Sequence, residues 1–266
     1  MYRKHFGLTR HPFAKDLAPE DLFPSLASAE LEARLAHLIE MRGIGLVTGE
    51  IGSGKTTVCR KASATLHQGL YRVLYVPMST GNTLDLYKAI AWELGLPSEL
   101  RNRANLYRSI RAEVTRLVLE GRIAPVLIVD EAQHLRNDVL EDLRLLTNYE
   151  MDSQNRLCLL FVGQVELRRR LHMTVHEALA QRIVVQHHLS GLTREELPHY
   201  LAHLLHLAGT ELPLFEPQAQ EALFQASSGM PRKVNLLAHH ALLAAAVARA
   251  KTVTAEHLET ALTEVS

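Results

Sequence analysis

The sequence predicts an α/β protein: three layers around a parallel five-stranded sheet, followed by a small all-helical domain. Three observations predict it. Five short apolar runs read as buried strands, and segments of helical periodicity lie between them. A glycine loop, GEIGSGKT, joins the first of these runs to a helix. Beyond about residue 192 the strand signals stop and only helical patterns remain.

Residues 1–27 read as an irregular arm, with Pro12, Pro19 and Pro24 among Phe6, Phe13 and Phe23. Such a segment is ordered only by docking its aromatics, either beside a nucleotide-base pocket or simply against apolar surface. The α/β domain is expected at 28–191 and opens with Ser28–Met41, where Leu31, Leu35, Leu38 and Ile39 recur at helical spacing. Strands are expected at Ile44–Thr48, Arg72–Pro77, Pro125–Asp130, Leu157–Gly163 and Ile183–Leu189. Helices are expected at Leu84–Leu94, Leu106–Leu119 and Asp138–Glu150. Continuous apolar strands alternating with helices imply a parallel sheet covered on both faces. The helical domain, 192–266, carries Thr193–Leu207, Pro217–Ser227, Arg232–Ala250 and Thr254–Leu262. Thr193 with Glu196 spells a capping box, and Gly209 and Gly229 stand at helix stops.

Composition narrows the function classes. Hydrophobic residues at 47% and charged residues at 22% are ordinary globular values and exclude a disordered chain. Lys plus Arg (29) equals Asp plus Glu (29), so the formal net charge is zero. A protein that grips DNA alone carries a basic excess, so DNA binding here would rest on a local stripe repeated by oligomerisation. Cys59 and Cys158 lack metal or redox spacing and read as buried thiols of a reducing compartment. The N-terminus has no apolar segment of a signal peptide, and the longest apolar run, near Leu236–Ala250, is interrupted by His239, His240 and Arg249. The expectation is a cytoplasmic protein with no membrane partner.

The chemistry concentrates at strand ends. Gly49-Glu50-Ile51-Gly52-Ser53-Gly54-Lys55-Thr56 fits GxxxxGK[ST], between a strand and a helix, as the phosphate-binding P-loop requires. The loop N–H groups and the helix N-terminus would hold phosphate oxygens, with Lys55 on the β and γ phosphates and Thr56 on Mg²⁺; Thr57 completes the candidate nucleotide-binding set. A chance match in a glycine-rich loop is the alternative. Val126–Val129 then ends in Asp130 and Glu131. At the carboxyl end of a parallel strand these two acids would hold Mg²⁺ (Asp130) and deprotonate the attacking water (Glu131); first-turn helix chemistry is the bland alternative. Gln164, after the strand ending at Gly163, reads as a sensor of the γ-phosphate or as a turn residue.

The order of these parts resembles the AAA+ superfamily. The spellings FGLTRHPF, VDEAQHL and FVGQVEL are similar to the branch containing ExeA (GspA), TniB, TnsC and MuB, ATPases of secretion and transposition. The resemblance covers nearly the whole chain. It implies a P-loop domain with a helical lid, an ATPase using ATP and Mg²⁺, and assembly into a homo-oligomeric ring or helical filament. It also implies that Gly229-Met230-Pro231-Arg232 is a sensor placing Arg232 on the γ-phosphate, against the reading of a solvated helix start. Arg182 matches the position of an arginine finger reaching a neighbouring subunit. Arg168, Arg169 and Arg170 compete for that role, for DNA phosphates, or form a solvated face. Nothing visible reads the base, so ATP rather than GTP is what the resemblance implies. His199, His203 and His206 share a helical face without a metal-ligand pattern.

Three functions follow as expectations. The first is a DNA-binding regulator that recruits or activates a transposase, hydrolysis driving disassembly. The second is an ATPase remodelling a secretion assembly; such relatives carry a transmembrane segment and a peptidoglycan-binding domain after the ATPase, which these 266 residues do not contain. The third is a nucleotide-gated switch, against which Glu131 argues.

Overall fold

The computed structural model describes residues 2–77, 82–97 and 102–265. In chain order these form α1 (Tyr2–His5), α2 (Leu26–Met41), β1 (Ile44–Thr48), α3 (Lys55–Ala64), β2 (Tyr71–Pro77), α4 (Thr83–Glu93), α5 (Arg103–Leu119), β3 (Ala124–Asp130), α6 (Asn137–Leu146) and β4 (Cys158–Gly163). There follow α7 (Val165–Leu171), α8 (Glu177–Ala180), β5 (Ile183–His188), α9 (Glu196–Leu207), α10 (Pro217–Ser227), α11 (Pro231–Val247) and α12 (Ala255–Val265). The strands form one sheet in the order β2-β3-β4-β1-β5, every pairing parallel. β1, β3 and β4 are buried along their whole length, as central strands covered on both faces must be. At the edges, β2 and β5 alternate between buried and exposed positions, which lets β5 carry Gln186 and His188.

By compactness the chain divides into two units, one of Glu30–Glu50 and Lys55–Leu189, the other of Met1–Ala29, Ile51–Gly54 and Ser190–Ser266. The first holds the sheet, and its core packs Leu127, Val129, Leu159 and Phe161 against Leu86, Ile90, Ile110, Leu140 and Leu143. Truncating one such side chain to alanine costs about 2–5 kcal/mol.

In the second unit the arm packs on the C-terminal helices. Tyr2, Phe6 and Leu8 are buried with Leu201, Leu205, Leu237 and Ala241. Phe13 meets Phe215 edge-on, and Phe23 meets Tyr200 and His203. Polar ties repeat the attachment: the Tyr2 hydroxyl lies 3.0 Å from His11 Nδ1 and 3.1 Å from His239 Nδ1, and His203 Nε2 lies 2.7 Å from the Asp21 carbonyl. All three aromatics of the arm thus find apolar packing within this unit, Phe6 and Phe23 among its helices and Phe13 on the segment before α10. The capping box forms, the Thr193 N–H donating to Glu196 Oε2 (2.9 Å) and the Glu196 N–H to Thr193 Oγ1 (3.2 Å).

Differences from expectation are local. The arm holds one helical turn, α1, because burying Tyr2 orders it. α6 ends at Leu146 and not near Glu150, since the Thr147 N–H and hydroxyl both turn back to the Arg144 carbonyl. Tyr149 then bridges to Gln154 across Glu150, Met151 and Asp152, all at positive φ (48°, 55° and 71°). α11 stops at Val247, with Arg249 at positive φ, and α12 runs on to Val265.

Candidate functional site

Sheet register brings the carboxyl ends of β1, β3 and β4 together. Thr48 pairs with Gly163 and Val129 with Phe161, so the segments after β1, β3 and β4 leave the sheet together at its carboxyl end. The glycine loop follows β1 and runs into α3, whose first residue is Lys55. Gly52 and Gly54 adopt φ of +83° and +97°, a region open to glycine and strained for any side chain. A Cβ added at Gly54 would meet nothing within 4 Å. Lys55 is 9% exposed, and its ammonium donates to the carbonyls of Gly49 and Glu50, both at 2.9 Å. The Ser53 hydroxyl is buried without a hydrogen-bond partner. An ammonium curled onto its own loop and an orphaned hydroxyl are groups that phosphate oxygens would engage.

Asp130 ends β3 at 4% exposure. Its Oδ2 accepts from the Thr56 hydroxyl at 2.7 Å and the Tyr75 hydroxyl at 2.9 Å, and its Oδ1 accepts from the Glu131 N–H at 2.8 Å. Burial first, and then the bond to Asp130, push the Tyr75 phenol well above its ordinary pKa, so it stays a donor. A threonine hydroxyl beside a fixed carboxylate is the oxygen set that Mg²⁺ takes while keeping its remaining positions for water and phosphate. The residues fit that ion.

Glu131 is exposed and left-handed, at φ 53° and ψ 34°, and opens the turn Ala132–His134. Holding a non-glycine residue there costs about 1–3 kcal/mol, so its surroundings must impose it. Its Oε2 accepts from Gln133 Nε2 at 2.6 Å. Gln164 precedes α7 without capping it through its side chain, and its N–H donates to Gln133 Oε1 at 3.1 Å.

The arginines divide. Arg232 opens α11 with its side chain exposed, and its N–H donates to the Gly52 carbonyl at 3.2 Å. Arg182 stands before β5, which pairs Ile183 with Ile44 and His188 with Thr48, so it lies at the far end of the strands from the segment after β1. Its guanidinium pairs with Asp152 and donates to the Arg144 carbonyl at 3.4 Å. Arg168 and Arg169 are exposed, whereas Arg170 is occupied inside the chain by the carbonyls of Gln133 and Leu135, each at 2.7 Å, and by Asn137 Oδ1 at 2.8 Å.

Sequence reasoning missed Tyr75 and Gln133, and it left Arg170 among candidate fingers. The DEAQ spelling offered the one usable signal, a second amide beside the acids. Cys59 and Cys158 are free and buried, and burial pushes both thiols up to about 12, out of the reactive range. Among the described residues no group of three or more His, Cys, Asp or Glu is placed to hold a metal; His203 Nε2 lies 2.7 Å from the Asp21 carbonyl and His206 Nδ1 lies 2.5 Å from Glu211 Oε1.

The family model described as an AAA domain matches residues 39–171, from the last turn of α2 through α7. The chain belongs to the AAA family of P-loop ATPases. The match contains the glycine loop, Asp130, Glu131 and Gln164, and it stops short of Arg182 and Arg232. Over 247 residues this AAA chain is 37% identical to general secretion pathway protein A of Aeromonas hydrophila, covering 92% of the chain and 45% of that protein. It is 35% identical over 113 residues to the ATP-dependent target DNA activator B of Escherichia phage Mu, covering 42% of the chain and 33% of the phage protein. The chain thus spans less than half the length of these curated relatives. In fold it is similar to the crystal structure of Cdc6p from Pyrobaculum aerophilum, with a TM-score of 0.72 and 18% identity over 96% of this chain and 70% of that one. No helix among the described residues is long and apolar enough to cross a membrane.

Proposed function

We propose that this AAA chain binds ATP with Mg²⁺ on residues 49–57 and hydrolyses it. The observation that carries the reading is the 2.7 Å bond between Thr56 and Asp130, residues 74 positions apart, one in the first turn of the helix after the glycine loop and the other ending β3. Loop N–H groups and Lys55 would hold the β and γ phosphates. Mg²⁺, when bound, neutralises charge developing on those oxygens, and Thr56 and Asp130 would hold it. Glu131 takes the proton of the attacking water as the water oxygen bonds to the γ-phosphorus and the bond to the β-phosphate oxygen breaks, leaving ADP and phosphate. Gln164 orients that water or the γ-phosphate, and Arg232 reports the γ-phosphate to the helical domain.

Arg182 serves a neighbouring copy. Its place at the opposite end of the strands from its own loop supports service in trans, where a guanidinium stabilises transition-state charge. The working form is then a homo-oligomer, ring or filament. The test is Glu131→Gln: ATP binding persists while turnover falls by about 100-fold or more, trapping an ATP-bound oligomer. Turnover at the unmutated rate would remove the base assignment.

For the work done, the match to target DNA activator B supports a regulator that assembles on double-stranded DNA and recruits a transposase, with hydrolysis releasing it. With zero net charge, DNA contact would fall on a local surface such as exposed Arg168 and Arg169. A second reading, an ATPase acting on a secretion assembly, rests on the longer match, 247 residues against 113. The two separate on duplex DNA: stimulated ATP turnover supports the first, while unchanged turnover and oligomer size exclude it.

A further inference from the structure

We infer that Gln133 is a positioning residue that ties the Glu131 carboxylate to the end of β4, so that the sensor segment and the base move as one. The inference rests on the reading of Glu131 as the base.

Both ends of the Gln133 amide are in use. Oε1 accepts the Gln164 N–H at 3.1 Å, and Nε2 donates to Glu131 Oε2 at 2.6 Å. Chemistry fixes which end is which, because a backbone N–H can only donate and an ionised carboxylate can only accept. A flipped amide would set two donors against each other and two acceptors against each other. The amide is thus a directional link between a backbone group of the sensor segment and a side chain of the acid pair.

Two further features hold this link. Gly163, the last residue of β4, leaves the room: a Cβ there would lie 2.9 Å from Gln133 Oε1 and 2.9 Å from Leu167 Cδ2. Arg170 of α7 clamps the main-chain carbonyls of Gln133 and Leu135, at 2.7 Å each. The turn carrying Glu131 is therefore fastened at two points, the Gln133 side chain to the Gln164 N–H just before α7 and the Gln133 carbonyl to Arg170 of α7. Glu131, exposed and left-handed, is placed by this attachment. Any shift of Gln164 on loss of the γ-phosphate then displaces the carboxylate that activates water, which switches the base off after turnover.

The test is a double-mutant cycle on the full chain, reading the dissociation constant of a non-hydrolysable ATP analogue, KM and single-turnover hydrolysis. Gln133→Ala is expected to change nucleotide affinity and KM by less than about threefold and to slow hydrolysis by about tenfold or more, since only positioning of the base is lost. In a Glu131→Gln background the same change should cost less than about twofold, because the group being positioned is already gone. Gln133→Glu keeps the acceptor for Gln164 and sets a negative charge against Glu131, so it too should slow hydrolysis with affinity intact, and it carries the test should the alanine variant fold poorly.

Equal losses in both backgrounds would mark Gln133 as merely structural and overturn the inference. Unmutated hydrolysis in Gln133→Ala beside an inactive Glu131→Gln overturns the link alone and leaves the base standing. An active Glu131→Gln overturns both.

Discussion

Gly54→Ala separates what the loop needs in order to fold from what it needs in order to bind. At φ +97° an alanine is strained, by about 1–3 kcal/mol for a residue held in a sparsely populated region. The added methyl meets nothing within 4 Å, so no clash adds to that strain. For a domain of this size the melting temperature should fall by about 2–4 °C per kcal/mol. The same strain is present with and without nucleotide and cancels from the dissociation constant. Any large loss of affinity must therefore come from the space the methyl fills. If that space belongs to phosphate oxygens, ATP affinity falls by about 100-fold or more, which is about 2.7 kcal/mol at 1.36 kcal/mol per decade. Calorimetry or a fluorescent nucleotide would read the affinity, and differential scanning the stability. A variant that melts a few degrees lower yet binds ATP within about threefold of the unmutated chain would refute the loop as a phosphate cradle.

Two other outcomes are expected. Arg182→Ala should retain ATP binding and lose turnover by about 10³-fold, as loss of an arginine finger does. Mixing it with Lys55→Ala should restore activity, because one variant supplies the finger and the other the nucleotide site; no recovery across mixing ratios counts against service in trans. His239, half-buried, has its pKa lowered by burial first, then by His240 and His11, while the Tyr2 hydroxyl bonds its ring. The folded state thus resists a proton that the unfolded chain accepts near its ordinary value of about 6.5. That contribution to stability is present above this pH and is lost as the pH falls through the lowered value. Melting temperature should drop on acidification, and His239→Gln should drop less; parallel curves would assign the acid sensitivity elsewhere.

The acids and the glycine loop were legible because their signals are local. A buried central strand must read as a continuous apolar run, so the change from Val129 to Asp130 and Glu131 marks its carboxyl end without knowledge of its neighbours. The loop's glycines likewise announce positive φ by their identity. The arm was read as needing a surface, yet which surface depended on the distant meeting of Tyr2 with His239 and of Phe23 with Tyr200. The end of α6 was misjudged because the left-handed run at Glu150–Asp152 uses residues with no glycine to announce it.

Gln133 shows why orienting residues are harder to read than reacting ones. In an extended continuation of β3, residues 131 and 133 would point to the same side and need not touch. The left-handed turn at Glu131 brings the amide back onto the carboxylate, and only the register of β3 against β4 brings Gln164 to its other end. The acids are specified by where a strand stops, whereas the group that aims one of them is specified by how two strand ends meet. Where the residue after a buried strand's terminal acid is forced left-handed, the side chain two positions further on is the place to look for what holds the base.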